Sequence, residues 1–518
     1  MKRPSTIPSA KSTSVWIATT EMPGSTPLTG NVETDICIVG AGIAGLTTGY
    51  LLSKAGKRVV ILDDGPLASG MTQVTTSHLS NAIGFNEVER CHGEEGARLA
   101  AESHAAAIDC IEATSNELKI SCDFQRLDGY LFLAPGDEKE LLEKELAAAH
   151  RAGVTGAEMV DRLPLNSFDP GPAIRFPNQA RVHPLKYLAA VAEAIRNQGG
   201  QIFTNSHADS IEGGATGKVK VGKHTVSAAA IVIATNTPIN DLVAIHTKQA
   251  PYMTYVIGAR VPRGSVTDAL YWDTEEDYHY VRLQPMKGDD KGNVTDGDYD
   301  LLIVGGEDHK SGQADDTEKR HANLERWARE RSPSIEKIEF VWGGQFMETI
   351  DGLAFIGRNP MDKDNVFIVT GDCGMGITHG TIAGLLLTDL IVGRDNPWEK
   401  LYDPSRKTLR AAGRFVKENV NVVEQYADWL TPGEVASLDE IELGGGAIIR
   451  RGLTKIAASR DEYGKVRELS AVCPHLGCIV QWNNAEGTWD CPCHGSRFHA
   501  DGECINGPSN INLPPADG

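Results

Sequence analysis

Residues 35–63 read DICIVGAGIAGLTTGYLLSKAGKRVVILD, which predicts an apolar β-strand, a glycine-rich turn, a helix and a second apolar strand. The turn carries Gly40-x-Gly42-x-x-Gly45, and Asp63 closes the second strand 23 positions after Gly40. A G-x-G-x-x-G pattern is weak evidence alone, but between a strand and a helix and followed by an acidic residue it is typical of dinucleotide binding. Gly40 allows a tight turn, Gly42 lets the backbone approach a pyrophosphate, and Gly45 lets the helix pack on the strand.

The start of this helix and the end of the second strand are the predicted contacts of a dinucleotide. Ile43 and Ala44 lie at the helix N-terminus, where backbone N–H groups and the helix dipole stabilise phosphate charge. Asp63, or Asp64 beside it, is predicted to accept hydrogen bonds from ribose hydroxyls. A strand-helix-strand unit without a nucleotide is the alternative, and the combined pattern argues against it. The stretch therefore predicts a doubly wound α/β domain.

Two further segments are predicted to reach the same nucleotide. If it is FAD, Thr76, Ser77 and His78 lie by position beside the flavin ring, although an ordinary polar loop explains them equally well. Residues 365–391 predict a strand, a glycine turn and an apolar helix, whose N-terminal N–H groups favour the negative charge of a reduced flavin. The predicted contacts of this second turn are Gly371, Asp372, Met375, Gly376, Ile377 and Thr378.

A third candidate surface lies in the alternating strands predicted between residues 251 and 310. In the segment YHYVRL, a period of two places Tyr278, Tyr280 and Arg282 on one face of a strand. Two phenols and a guanidinium are a plausible wall for an anionic or polar substrate, whereas a sheet edge with its polar face in water is the plainer explanation. Arg282, Tyr280 and His78 are the candidate catalytic residues.

Two short segments near the C-terminus combine cysteine and histidine. They read Cys473-Pro-His475-Leu-Gly-Cys478 and Cys491-Pro-Cys493-His494-Gly-Ser496. Each offers a cysteine and a histidine as a close pair, which resembles the ligand set of a Rieske [2Fe-2S] cluster, with two thiolates on one iron and two imidazoles on the other. A zinc site is the alternative, since zinc also takes Cys2His2 ligands, but the mixed pairing within each segment argues against it.

The resemblance to Rieske proteins covers about the last 85 residues and implies roles for six side chains. Cys473, His475, Cys491 and His494 would hold the cluster, and a disulfide would join Cys478 to Cys493. Rieske proteins of the quinol-oxidising complexes carry a tyrosine two residues after the serine, where this chain has Phe498. Because the cluster then has one hydroxyl donor fewer, we predict a reduction potential in the middle of the Rieske range of about −150 to +300 mV.

Residues 34–395 resemble FAD-dependent oxidoreductases of the D-amino-acid oxidase and glycine oxidase type. The resemblance rests on GAGIAG with Asp63, the ATNTP strand, DGLAFIG and the helix after GDCGMG. It implies FAD and a doubly wound FAD-binding domain interleaved with an antiparallel α+β substrate domain. Together with the Rieske unit, the resemblance narrows to bacterial proteins in which such an oxidoreductase is fused to a Rieske domain. Amine-oxidising members carry a substrate-binding arginine where this chain has Phe346, so either Arg282 takes over or the substrate is not a simple amino acid.

These segments give the following domain prediction. A loose leader occupies residues 1–30, and the oxidoreductase occupies residues 31–397. A docking helix and linker follow at 398–432, and an all-β Rieske domain occupies 433–518. Within the oxidoreductase, the FAD-binding parts are about 31–90, 181–240 and 340–397, and the substrate domain is about 91–180 and 241–339.

Composition excludes several classes of protein. A formal net charge of −20 over 518 residues argues against a nucleic-acid partner, which would need clustered lysine and arginine. Outside the C-terminal group, the ten cysteines show no paired spacing, which argues against a secreted disulfide framework. The first residues lack the apolar core of a signal peptide, and no apolar run is long enough for a bilayer. We therefore expect a cytoplasmic protein without an integral membrane segment.

The combined prediction is an oxidoreductase that oxidises a small amine or amino-acid derivative at FAD. Electrons would pass through the cluster to a one-electron acceptor, either a protein or a quinone, because a flavin accepts two electrons at once and the cluster carries one. A reductase component fed by NAD(P)H and a non-catalytic redox sensor are the alternatives. A Rieske oxygenase is disfavoured, because the sequence offers no mononuclear iron triad and the domain order is reversed.

Overall fold

The strand Val32–Val39 lies at the centre of an eight-stranded sheet in the computed structural model, which describes residues 13–240, 245–286 and 299–516. It pairs in parallel with Val59–Leu62 on one side and His224–Ile233 on the other. Its inner residues are buried and apolar, as expected of a parallel strand covered on both faces. The other strands of this sheet are Gln201–Phe203, Ser210–Glu212, Gly217–Val221, Phe355–Arg358 and Val366–Thr370.

Three helices, Ile43–Lys54, Pro184–Asn197 and Gly376–Val392, pack beside this sheet. The first and third approach very closely because Gly380 and Gly384 face the first helix. A Cβ on Gly384 would come 2.6 Å from the methyl of Thr47, and a Cβ on Gly380 would come 2.7 Å from Ile43. The two helix N-termini that the sequence predicts as nucleotide contacts are therefore held side by side.

A nine-stranded, mainly antiparallel sheet forms the second half of the oxidoreductase. Its strands are His78–Leu79, Gln125–Phe132, Glu158–Val160, Ala173–Arg181, Gln249–Pro262, Leu270–Asp273, Tyr280–Met286, Tyr299–Lys310 and Lys337–Thr349. The helices Phe85–Glu117, Lys139–Arg151 and Arg320–Arg331 belong to the same half of the chain.

The borders of this second sheet differ from the predicted ones at two places. Lys337–Thr349 pairs antiparallel with Gln249–Pro262 along almost its full length, so the chain re-enters the FAD-binding part only after residue 349 rather than near 340. His78–Leu79 pairs with Ala173–Arg181 and so belongs to the second sheet as well, although the sequence places it within 31–90. Pairing between segments distant in the sequence, which single-strand patterns do not reveal, decides both borders.

The N-terminal segment is packed from residue 13 onward, which corrects the expectation of a loose leader for those residues. The helix Val15–Thr19 places Trp16 in the core, and Trp16 Nε1 donates to the carbonyl of Thr75 over 2.6 Å. Ser14 Oγ donates to the carbonyl of Gln73 over 2.5 Å. The segment therefore fastens the loop that leads to Thr76 and His78. Residues 1–12 lie outside the described residues.

The linker and the C-terminal domain complete the fold. Linker helices span Glu399–Tyr402 and Ala412–Gln425. The domain beyond contains a three-stranded and a four-stranded antiparallel sheet. Their strands are Gly446–Arg451, Thr454–Arg460, Val466–Ser470, Gln481–Asn483, Thr488–Asp490, Arg497–His499 and Cys504–Asn506. Among the described residues, no helix has the length and apolar character needed to cross a membrane.

Candidate active site and cluster site

One large cavity, of about 1350 Å³, lies between the two sheets of the oxidoreductase. Its volume exceeds the range of about 300–1,000 Å³ that suits one small ligand, so it has room for a dinucleotide and a substrate. Twelve of the predicted cofactor-binding residues line it. They are Gly40, Gly42, Ile43, Ala44, Asp63, Asp64, Thr76, His78, Asp372, Met375, Gly376 and Ile377.

The first glycine turn has the geometry that a pyrophosphate requires. Gly40 has φ of 105°, and a Cβ there would overlap the carbonyl oxygen of Ala234 on the neighbouring strand. Gly42 precedes the helix Ile43–Lys54 and has no side chain to cap it, but the N–H of Ile43 donates to the hydroxyl of Thr72 over 3.1 Å. The N–H of Ala44, which also lines the cavity in the first turn, suits an anionic group.

The two acidic residues after the second strand differ in their contacts. Asp63 accepts hydrogen bonds from the backbone N–H of Ala41 over 2.6 Å and of Gly65 over 2.9 Å, so it braces the glycine turn. Burial, with the charge of Asp64 added, raises the pKa of Asp63 to about 7. Asp64 is exposed and pairs with His207 over 3.5 Å. Both acids line the cavity at its dinucleotide end.

The second turn opens onto the same cavity. The helix Gly376–Val392 begins without a side-chain cap from any described residue, and Gly376 and Ile377 line the cavity. The N–H of Met375 is not directed outward, because it donates to the carbonyl of Asp372 over 2.8 Å. The N–H groups that remain available to the cofactor are therefore those of the first residues of the helix.

Four predicted cofactor contacts do not line the cavity. Gly45 faces the Gly40 carbonyl and lets the helix pack on the strand. The hydroxyl of Thr378 donates to the carbonyl of Met375, and a Cβ on Gly371 would overlap Thr349. Ser77 is fully buried with φ of 58°. Gly45 therefore has the packing role that the sequence predicts for it. The other three show that sequence spacing does not tell a cavity-facing residue from its neighbour.

Arg282 is a further correction, since it is fully buried and does not line the cavity. Its guanidinium donates to the backbone carbonyls of Ser77 over 2.7 Å and Val182 over 3.2 Å, and to the side chain of Gln284 over 2.6 Å. With its donors used in this way, it is poorly placed to bind a substrate anion. It holds the loop that carries His78.

His78 and Tyr280 do line the cavity. Their rings meet edge to face with centroids 5.6 Å apart, and the Tyr280 hydroxyl lies 2.6 Å from the Thr254 hydroxyl. Burial, followed by the charge of Arg282, lowers the pKa of His78 to about 3, so the imidazole is neutral. Its Nε2 has no hydrogen-bond partner among the described residues.

An acidic wall, defined as Asp277, Asp308, Glu348 and Asp372, lines the substrate end of the cavity. Burial raises the pKa of Asp308 and of Glu348 to about 7, and that of Asp372 to about 6. Oδ1 of Asp308 has no hydrogen-bond partner among the described residues. Arg414, 3.7 Å from Glu348, is the only arginine or lysine of the described chain on the lining. The sequence gives no sign of this wall, because its members come from four separate segments.

Phe346, which replaces the arginine of amine-oxidising relatives, also lines the cavity. Its ring stacks on that of Tyr252 with centroids 5.7 Å apart and planes 25° apart. The position is thus apolar and aromatic. Within the described residues, no cation replaces the missing arginine except Arg414, which already lies beside a carboxylate.

The predicted cluster ligands converge in the C-terminal domain. The side chains of Cys491 and Ser496 lie near the Cys473 thiol and lower its pKa to about 7. The imidazoles of His475 and His494 stand at right angles with centroids 5.0 Å apart. Two thiols and two imidazoles on two adjacent loops fit the donor set of a Rieske cluster.

The predicted disulfide between Cys478 and Cys493 is confirmed, and its Cα atoms lie 6.4 Å apart. It joins the two cluster loops, with its sulfurs within 4.8 Å of the Cys491 thiol. Because the sulfurs of Cys478 and Cys493 are bonded to each other, these three cysteines do not form a separate thiolate metal site.

Two contacts that the sequence does not reveal join the cluster site to the oxidoreductase. His246, in the short helix His246–Lys248, packs edge-on against His475 with ring centroids 5.0 Å apart, and its centroid lies 5.8 Å from that of His494. Gln345 lines the cavity, and its side chain donates to the carbonyl of Gly495 over 3.0 Å. Gly495 follows His494 directly, so one side chain separates the cavity from a cluster loop.

The dinucleotide turn, the interleaved second sheet and the Cys/His loops define an oxidoreductase with a flavin and an iron-sulfur centre. The chain belongs to the FAD dependent oxidoreductase family, whose model matches residues 35–390, and a Rieske [2Fe-2S] domain matches residues 431–516. The predicted fold class is thereby confirmed. FAD and one [2Fe-2S] cluster are the cofactors of these two domains, which excludes the zinc alternative.

Individual relatives agree with this assignment. The chain is 30% identical to YhfW of Bacillus subtilis, whose name refers to a Rieske 2Fe-2S iron-sulfur protein, over 97% of both chains. It is 25% identical to gamma-glutamylputrescine oxidoreductase of Escherichia coli over 70% of this chain and 84% of the relative. Among solved structures, glycine oxidase from Geobacillus kaustophilus superposes with a TM-score of 0.60 at 19% identity, covering 73% of this chain and all of the other.

Proposed function

We propose that the chain oxidises the C–N bond of a small amine or amino-acid derivative at FAD and passes the electrons through its [2Fe-2S] cluster to a one-electron acceptor. The observation that carries the proposal is the contact between Gln345 and Gly495, because Gln345 also lines the cavity. FAD supplies two-electron chemistry when bound, and a Rieske cluster supplies one-electron transfer. A cluster loop that lies one side chain from the cavity is well placed to take electrons one at a time from the flavin.

The packing of the two domains supports the same proposal. Gln345 is buried, donates to the Ser311 hydroxyl over 2.9 Å and accepts from Asn506 over 2.6 Å. His246 closes the histidine side of the cluster site. The cluster loops are therefore fixed against the oxidoreductase by several contacts, without a domain rearrangement to bring them there.

The acidic wall favours an amine that enters as an ammonium cation. Carboxylates of raised pKa bear an unfavourable buried charge, and a cation placed beside them relieves it. Oδ1 of Asp308, which lacks a partner among the described residues, is placed to accept a proton from the ammonium, and a pKa of about 7 suits a base at neutral pH. The name of the E. coli relative also refers to an amine derivative.

An anaerobic screen tests the proposal. Amines, amino acids and hydroxy acids are mixed with the purified protein, while flavin bleaching is followed by absorbance and cluster reduction by electron paramagnetic resonance. We expect an amine to reduce both centres. A Cys491→Ser variant that retains FAD should bleach with the same amine and fail to reduce a one-electron dye.

Two outcomes would contradict the proposal. Flavin bleaching by NADH or NADPH, with none by any amine, would favour the reductase alternative. An amine that reduces the flavin while the cluster stays oxidised throughout turnover would show that the cluster is not the outlet for electrons.

A further inference from the structure

We infer that the C-terminal domain forms part of the FAD site, because its segment 503–512 closes the dinucleotide end of the cavity and retains the bound cofactor. The nucleotide-binding turn supplies one wall of that end. The Rieske domain supplies the opposite wall through Glu503, Cys504, Ile505, Asn506, Gly507, Ser509, Asn510, Ile511 and Asn512. Together these residues form nearly the whole of the segment.

The position of the segment identifies which half of the nucleotide it covers. It shares the cavity with Asp63 and Asp64 and with residues 206–209. An acidic residue at the end of the second strand of this fold is the one that binds ribose hydroxyls. The segment therefore covers the adenosine half, whereas the acidic wall at the substrate end comes from the oxidoreductase.

Two side-chain hydrogen bonds anchor the segment to the oxidoreductase. Asn510 Nδ2 donates to the carbonyl of Ala208 over 2.9 Å, and Ala208 follows His207, which pairs with Asp64. Asn506 Nδ2 donates to Oε1 of Gln345 over 2.6 Å. The first anchor lies beside the Asp64–His207 pair and the second at the cavity wall, so the segment is fixed to the oxidoreductase at two points.

The segment is also built against the cluster site. The N–H of Ser509 donates to the hydroxyl of Ser496 over 3.0 Å, and Ser496 lies two residues after the ligand His494. Gly507 has φ of 113°, and a Cβ there would overlap Ser496. The wall of the FAD cavity therefore rests on the cluster loop, which predicts that retention of FAD depends on the docked, folded Rieske domain.

The test removes both anchors in the full-length protein loaded with both cofactors. Asn506→Ala and Asn510→Ala are combined, and Glu462→Ala, in an exposed turn of the same domain, is the control. FAD dissociation is measured from the rise in flavin fluorescence after dilution, and the Kd by titrating the flavin-free protein. Cluster content is checked by iron analysis and the electron paramagnetic resonance spectrum.

We expect the double variant to bind FAD about tenfold more weakly, because losing two hydrogen bonds lowers the fraction of molecules in which the segment covers the cavity, with its cluster spectrum unchanged. The control should bind FAD as the unaltered protein does. Equal FAD affinity in the double variant and the control would overturn the inference.

A second measurement applies if the double variant loses its cluster or fails to fold. Hydrogen exchange of residues 503–512 is compared in the unaltered protein with and without FAD. Protection of this segment by FAD is the expected result, with residues around Glu462 unaffected. Exchange in the segment that does not respond to FAD would overturn the inference.

Discussion

The imidazole of His246 packs edge-on against that of the cluster ligand His475, with ring centroids 5.0 Å apart and ring planes 75° apart. His246 comes from the oxidoreductase and is buried, whereas His475 comes from the Rieske domain. The histidine side of the cluster site is therefore covered by protein from the other domain. This contact fixes the environment in which the cluster gains and loses an electron.

Replacing His246 by Ala is expected to raise the reduction potential of the cluster. The smaller side chain admits water to the histidine side, and water stabilises the more negative reduced state. The expected rise is on the order of tens of millivolts. A redox titration followed by electron paramagnetic resonance measures it. His224→Ala, at the start of the strand His224–Ile233, is the control, and an unchanged potential in His246→Ala would contradict the prediction.

Phe498→Tyr tests the second determinant of the potential. Phe498 is buried two residues after Ser496, so this position lacks the hydroxyl that the quinol-oxidising relatives have there. A hydroxyl that donates toward the cluster stabilises its reduced state, and we expect a rise on the order of 50 mV. Phe498→Leu, which adds no donor, should leave the potential nearly unchanged. A fall in the tyrosine variant would contradict the prediction, as would an unaltered protein with a potential near the top of the Rieske range.

Arg406→Met tests the ion pair that fastens the linker to the oxidoreductase. Arg406 donates twice to Asp351, over 2.8 and 2.7 Å, and both side chains are buried. Burial alone would raise the pKa of Asp351, but the charge of Arg406 holds it below its usual range. Removing the cation leaves a buried charge unpaired, so we expect a loss of about 3–5 kcal/mol in the free energy of unfolding.

Urea denaturation followed by near-ultraviolet circular dichroism measures this loss. Arg358→Met is the matched control, because its pair with Glu399 is half-exposed and is expected to contribute less than about 1 kcal/mol. Since the folded-state pKa of Asp351 is depressed, the pair stabilises the protein above the unfolded pKa of 3.8, and this contribution is lost as the pH falls through the folded value. Equal losses in the two variants would contradict the prediction.

The parts of the site that local sequence predicts are those made of contiguous residues. The turn at Gly40 and Gly42 and the Cys/His pairs are short segments whose chemistry depends on spacing. The structure places the turn at the cavity wall and brings the two histidines together. Arg282 shows the limit of such reasoning. The period of a strand gives its face, but tertiary packing decides which residues of that face line the cavity, as Tyr280 does, and which contact backbone carbonyls, as Arg282 does.

The parts that the sequence does not predict depend on contacts between distant segments. Asp308 and Glu348 meet in one wall from two separate strands, and Gln345 reaches Gly495 across 150 positions. Trp16 lies in a stretch without periodicity, yet its ring fills the core. None of these pairings leaves a local pattern, because each residue alone is an ordinary choice for its own strand or loop.

Asp308→Asn is expected to stabilise the protein at high pH and not at low pH. Burial raises the folded-state pKa of Asp308 to about 7, above the unfolded value of 3.8, so stability falls as the pH rises from about 4 to 7 and its carboxylate is charged against its environment. Asparagine removes that cost, which is at most about 4 kcal/mol above pH 7.

Thermal unfolding at pH 5 and pH 8 measures the difference, with Asp277→Asn, an exposed member of the acidic wall, as the control. We expect a higher Tm for Asp308→Asn at pH 8, little change at pH 5 and a smaller gain in the control. An equal gain at both pH values would show that the effect does not come from ionisation, and a loss at pH 8 would show that the carboxylate already has a stabilising partner.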